Sequence, residues 1–218
     1  MAEEQNDGLF REIDEELRQE KAASLAKQYG KYVIAAAIIL IGGVGGYKAW
    51  QSHELDNRMS ATDAYVGAVN ADDGGLATLD AVAGSDVGEI GNIASMRRAG
   101  ELAKDGDFEG AIAVYRGITG NTSVDADTRA VASMNLASLL LDQGDAASAK
   151  TTIEPLTVAG SGWQYAALEI SALASLDSGD IVAARESLEK IVSSDTAPTD
   201  LKTRASTLLD TLPRGENG

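Results

Sequence analysis

The stretch ASLLLDQGDAASAKTTIEPL, residues 137–156, decides the fold. It reads as two helices joined by a tight turn. Gly144 can enter the left-handed conformation that ends a helix, and Asp145 offers a carboxylate to the free N–H groups that start the next one. Ala137 and Ala149 let the two helices pack closely, and Ile153, four residues past Ala149, fills the seam with the following pair. The pattern recurs in AGELAKDGDFEGAIAVYRGI (99–118) and ALASLDSGDIVAARESLEKI (172–191). In each stretch Gly-Asp falls seven residues after one alanine, and another alanine falls five after the glycine. The three sets are Ala99, Gly106 and Ala111; Ala137, Gly144 and Ala149; Ala172, Gly179 and Ala184. Tyr115 and Leu188 stand where Ile153 does. One Gly-Asp would mean little, but three in register, 38 and 35 residues apart, are a strong signal for stacked αα-hairpins.

This arrangement resembles the tetratricopeptide repeat, whose unit of about 34 residues carries a small residue, a glycine turn and a second alanine at these positions. The resemblance implies an all-α αα-hairpin solenoid with units at about 92–123, 130–160 and 165–196. The tryptophan, tyrosine and closing proline of the consensus are mostly absent, so the units are degenerate. Such units bury their faces only by stacking, so helices at 54–83 and 198–212 are expected to cap the array. A glycine-rich connection, GSDVGEIGN (84–92), separates the first cap from the repeats, and 213–218 reads as a frayed tail. In this kind of array the first helix of each unit lines a concave surface. By matching positions that groove includes Ile93 and Met96; Val131, Met134, Ser138 and Leu141; and Glu169, Leu173 and Leu176. It is apolar for an acidic protein, and its methionines suit varied polypeptide partners. Two alternatives stand beside an open groove: that these residues are ordinary core, or that the protein's own capping helix fills it.

Upstream lies KYVIAAAIILIGGVGGYKAW, residues 31–50. The nineteen residues 32–50 carry Lys48 as their single charge, and as a helix they reach roughly 28 Å, close to the ~30 Å core of a bilayer. Tyr32, Tyr47 and Trp50 near the ends suit the headgroup zone, and Lys31 and Lys48 can extend to water. The expectation is one membrane helix at 32–50. An acid-rich arm of about thirty residues precedes the apolar segment and no convincing cleavage site follows, so it reads as an uncleaved anchor rather than a signal peptide. Arg18, Lys21, Lys27 and Lys31 on the amino side outnumber Lys48 and Arg58 on the other, which puts residues 1–31 in the cytoplasm and residues 51–212 outside it. The arm 1–31 reads as a helix, with Leu9, Ile13, Leu17, Leu25 and Tyr29 on one face. It is either a solvated extension of the span or a docking helix. Gly42 and Gly46 form a small-residue face on which another membrane helix could pack.

The chain holds 34 acidic and 18 basic residues, a formal charge of −16, which argues against nucleic-acid binding because phosphates would be repelled. It has no cysteine, and therefore no disulfide, thiol nucleophile or thiolate metal site. His53 is its one histidine and reads as a solvated residue just past the membrane helix. With no phosphate-binding glycine loop, no paired metal ligands and no nucleophile motif, no catalytic residue, metal site or cofactor is expected, and the protein reads as a non-enzyme.

The start pattern F-R-E-I-D-E-E-L-R-Q-E-K, followed by K-Y and the apolar span, combines with the degenerate repeats to resemble the bacterial ancillary SecYEG translocon subunit family. The resemblance covers nearly the whole chain. It implies an inner-membrane protein with a single span, an amino terminus in the cytoplasm and repeats in the periplasm. The partners it implies are Sec translocon subunits and a membrane-anchored periplasmic chaperone of the prolyl-isomerase type, with a part in handing over emerging secreted chains. A second class of function is a structural scaffold for envelope or cell-division assembly.

Overall fold

The computed structural model describes residues 2–71, 75–85 and 87–213; within the first helix, side chains are described at 27, 28, 31 and 32 and from 38 onward. Secondary structure among the described residues is entirely helical. Contacts divide the chain into two compact units, Met1–Asn57 and Arg58–Gly218.

The first unit is formed by most of helix α1 (Ala2–Val69), which also contributes to the second. Ile38, Ile39, Leu40, Ile41, Val44, Tyr47 and Trp50 are all more than half exposed. The Lys31 ammonium lies 5.0 Å from the Tyr32 ring centroid, and the Tyr47 and Trp50 rings are 6.3 Å apart. Among the described residues no helix is long and apolar enough to cross a membrane. The side chains of residues 33–37, which belong to the span expected at 32–50, lie outside the described residues, as does the proposed face of the arm at Leu9, Ile13, Leu17, Leu25 and Tyr29.

The second unit is a run of helix pairs. The end of α1 packs with α2 (Leu76–Ala83) and the start of α3 through a cluster of Ala61, Ala68, Leu79, Val82 and Ala94. Three hairpins follow: α3 (Glu89–Lys104) with α4 (Phe108–Gly120), α5 (Ala126–Asp142) with α6 (Ala146–Ile153), and α7 (Gln164–Asp177) with α8 (Ile181–Val192). A single 3-10 turn, Glu154–Leu156, extends α6. Helix α9 (Thr199–Thr211) ends the described fold.

Local chemistry accounts for each hairpin turn. Gly106, Gly144 and Gly179 sit at φ of 89°, 76° and 80°, the left-handed region in which a Cβ is costly. At all three the aspartate N–H after the glycine reaches back to a carbonyl five residues earlier: Asp107 to Leu102 (2.8 Å), Asp145 to Leu140 (2.8 Å) and Asp180 to Ser175 (2.7 Å). The glycine N–H bonds Ala103, Leu141 and Leu176 in turn. These paired bonds satisfy the carbonyls orphaned where a helix stops. Each aspartate then caps the next helix, accepting from the backbone N–H of Gly110 (2.9 Å), Ser148 (3.0 Å) and Ala183 (3.0 Å). One tripeptide step therefore closes one helix and opens another.

Two helices begin earlier than the repeat boundaries read from the sequence. The Asp125 carboxylate accepts from Thr128 N at 2.8 Å, so α5 starts at Ala126 rather than near 130. Helix α3 starts at Glu89, inside the glycine-rich stretch taken as a connection. Gly91 is buried there, and a Cβ on it would meet the carbonyl oxygens of Ser85 at 3.4 Å and Val82 at 3.5 Å. Those are ordinary van der Waals distances, so Gly91 is a buried helix position rather than a turn.

Packing repeats from hairpin to hairpin. Ala99, Ala111, Ala137, Ala149, Ala172 and Ala184 are fully buried, as are Ile153 and Leu188, and Tyr115 nearly so. Burying a side chain of leucine size stabilises by about 1.5–3 kcal/mol, so each seam contributes several kcal/mol before ordering costs. Helix α7 packs on α6 and α5, and α9 packs on α8 and α7 in the same way. Helix α9 therefore occupies the place of the first helix of a further hairpin. Leu201 and Ala205 of α9 join Leu168, Ala172, Leu188 and Ile191 in one cluster. The Tyr165 hydroxyl, bonded to Ser194 Oγ (2.6 Å) and Thr196 Oγ1 (2.5 Å), ties the α8–α9 connection to α7. The carbonyl of Pro213, expected in the frayed tail, accepts from Arg185 at 2.7 Å; residues 214–218 lie outside the described residues.

Candidate functional site

Helical spacing generates a stripe on the first helix of each hairpin. On α5, Val131, Met134, Ser138 and Leu141 recur at intervals of three and four and share one face. The inward face holds Ala130, Leu136, Ala137 and Leu140, all buried. On α7 the outer positions are Glu169, Leu173 and Leu176, against buried Leu168, Ala172 and Ser175. On α3 they are Ile93 and Met96, against buried Ala94 and Ala99.

None of these nine side chains is buried. Ile93 and Leu173 are each 40% exposed, Ser138 is exposed, and the other six are half-buried. Met96, Met134 and Leu141 rest their inner atoms on the cluster that contains Tyr115 and Leu136. The Tyr115 hydroxyl makes a long contact of 3.5 Å to the Met96 carbonyl, and its burial raises the phenol's pKa. Helices α5 and α7 touch directly, whereas α3 and α5 have no comparable contact, so the α3 stripe is not joined to the others in the same way. The result is a surface anchored in the core by the stems of flexible side chains. Such a surface offers apolar contact with little directional demand, the chemistry of adaptable polypeptide recognition.

Glu169 differs from its neighbours. Arg204 of α9 grips its carboxylate by donating from Nε and Nη2, at 2.7 and 2.8 Å, while Nη1 reaches Asp200 at 3.3 Å. The bonds to Glu169, ahead of any other cause, hold the Arg204 pKa above its ordinary range. The capping helix thus reaches the edge of the stripe at Glu169.

Three other features were not singled out in the sequence. Trp163 Nε1 donates to Asp127 Oδ1 at 3.0 Å, linking the start of α7 to the first turn of α5; a contact across 36 residues leaves no local signal. Glu101 is buried on α3 between Arg97 (2.6 Å) and Lys104 (3.0 Å), and the Lys104 hydrogen bond is the main cause of its lowered pKa. The four-before and three-after spacing of that trio is visible in sequence as helix-surface pairing. The third is a pocket between α4, α5 and α6, lined by Arg116 and Arg129.

In the first unit, an added Cβ at Gly42 or Gly46 would meet nothing within 4 Å, so both present open surface. His53 is exposed on α1. Among the described residues no group of three or more histidine or carboxylate side chains could hold a metal ion.

Comparison with known proteins gives two matches. The family model described as tetratricopeptide repeat-like domain matches residues 25–169. The ancillary SecYEG translocon subunit of Escherichia coli (strain K12) is 29% identical over 173 residues, 78% of this chain and 82% of that protein. Together they bear out the family resemblance drawn from the start pattern and the repeats. No solved structure matches the chain.

Proposed function

The chain belongs to the tetratricopeptide repeat-like domain family, and from that premise we propose that it is a non-enzymatic accessory of the Sec translocon, anchored in the bacterial inner membrane by residues 32–50. The observation that carries the reading is the match to the ancillary translocon subunit, which extends over about four-fifths of both chains. In this reading the amino terminus is cytoplasmic and residues 51–212 are periplasmic. The exposed run of Ile38 to Ile41, Val44, Tyr47 and Trp50 supports the anchor, and the open surface at Gly42 and Gly46 supports contact with a translocon helix. The half-exposed stripe, Met134 and Leu173 above all, is where emerging polypeptide or a periplasmic chaperone docks.

Photoreactive groups placed at Met134 and beside Gly42 in native membranes test this. The expected products are translocon subunits crosslinked at the membrane position and nascent secreted chains, or a periplasmic chaperone, at Met134. Changing Met134 and Leu173 to Asp should remove the second set in a protein that still folds, whereas loss of folding would mean that these side chains, half-buried at Met134 and exposed at Leu173, serve the core. Recovery of folded envelope or division components alone would replace the translocon reading with that of a scaffold.

A further inference from the structure

Helices α3, α4, α5, α8 and α9 carry six arginines, and four of them bond an acceptor. Arg97 pairs with Glu101, Arg98 with Asp80, Arg185 with the Pro213 carbonyl and Arg204 with Glu169. Arg116 and Arg129 do not: among the described residues neither guanidinium has a hydrogen bond or ion pair. In a chain whose acidic residues outnumber its basic ones by 34 to 18, carboxylates are plentiful, yet these two cations have none in contact. Both line the same pocket, of about 490 Å³, between α4, α5 and α6.

The rest of that pocket is apolar or already engaged. Ala130, Leu136, Pro155 and Leu156 provide its apolar lining. The hydroxyls of Ser133 and Thr152 donate to the carbonyls of Arg129 and Ser148, at 2.9 and 2.7 Å. The guanidinium N–H groups are therefore the donors left for a ligand. Each presents up to five in a planar fork that matches a carboxylate. Asp145, the acid that senses Arg116, is occupied by its cap to Ser148. The volume lies within the ~300–1,000 Å³ usual for small binding sites, enough for one charged group and an adjacent apolar side chain.

We propose that this pocket binds a carboxylate of a partner polypeptide, set beside an apolar residue that rests on Leu136 and Leu156. The carboxylate can come from an acidic side chain or from a chain terminus. An anionic bilayer surface is disfavoured, because the net charge of −16 opposes approach to it. The site lies on α4, α5 and α6 and requires no part of the translocon reading.

The test uses the full chain in neutral detergent micelles, with the arginine Nε–H signals followed by NMR. Three short peptides are titrated: Leu-Leu-Glu-Leu amide, Leu-Leu-Gln-Leu amide, and Leu-Leu-Gln-Leu with a free carboxyl end. The proposal expects a carboxylate peptide to shift the Arg116 and Arg129 signals and to bind about tenfold more tightly than the uncharged amide. Which carboxylate peptide does so names the source. The double change R116Q and R129Q should abolish that preference while the melting temperature holds. If that variant does not fold, the contrast between peptides on the unaltered protein decides alone. Equal binding of all three peptides overturns the proposal. So does a folded R116Q and R129Q protein that keeps the preference, or a response to phosphatidylglycerol vesicles without one to peptide.

Discussion

Glycine takes left-handed backbone at both Gly144 and Gly75, but for reasons of different cost. At Gly144 the φ of 76° is the sole constraint, since a Cβ there would meet nothing within 4 Å. Gly144→Ala should therefore cost about 1–2 kcal/mol, the price of left-handed backbone for an L-residue. At Gly75 a Cβ would stand 2.6 Å from the Cα and carbonyl oxygen of Ala68, backbone atoms that cannot swing aside. Gly75→Ala should lower stability by clearly more, and urea denaturation of the two variants reads the difference. Equal losses would mean that the α1–α2 corner relaxes freely. Residue-scale features of this kind are the ones legible in sequence. The Gly-Asp turns and buried alanines depend on atoms a few residues apart, so the local order Ala, Gly, Asp, Ala contains them. Gly91 shows the limit: by sequence it belongs to a loop, yet it lies buried in the first turn of α3. Glu169–Arg204 and Trp163–Asp127 depend on how one hairpin rotates against the next, which no spacing along the chain records.

Among the elements, α9 is held by burial more than by charge. Arg204 is about half exposed, so water screens its fork on Glu169, and Arg204→Ala should cost about 1 kcal/mol or less. Ending the chain after Ala197 removes Leu201 and Ala205 and uncovers Leu168, Ala172, Leu188 and Ile191. Uncovering two side chains of leucine size alone amounts to about 3–6 kcal/mol, comparable with the whole stability of many domains. Circular dichroism melts should show R204A close to the unaltered protein and the truncated chain with a melting temperature lower by ten degrees or more, or with no cooperative transition. A truncated chain melting like the parent would show that the array closes at α8. A capping helix is expected here because stacked units bury their faces only against a neighbour. That it occupies the first-helix position of a further pair follows only from its contacts with both α7 and α8.

On the scale of the whole molecule the dominant quantity is charge. Residues 51–218 carry 26 acidic against 12 basic side chains, and exposed carboxylates at that density repel one another when the fold is compact. Raising salt from about 0.01 M to about 0.15 M shortens the screening length from ~30 Å to ~8 Å. The melting temperature should then rise by a few degrees, and a fall would mean that ion pairs such as Arg204–Glu169 outweigh the repulsion. The proposed anchor belongs to this scale as well: it rests on a single apolar run, legible as composition, whereas the proposed groove requires three helices in register. The bond between Trp163 and Asp127 has one more consequence. The chain's two tryptophans fall one to each unit, Trp50 in the first and Trp163 in the second. Trp163 is fastened across the joint between the second and third hairpins, so its fluorescence reports the closing of that joint, and if residues 32–50 form the proposed anchor, quenchers dissolved in lipid should reach Trp50. The protein carries one native optical probe for its first unit and another for its repeats.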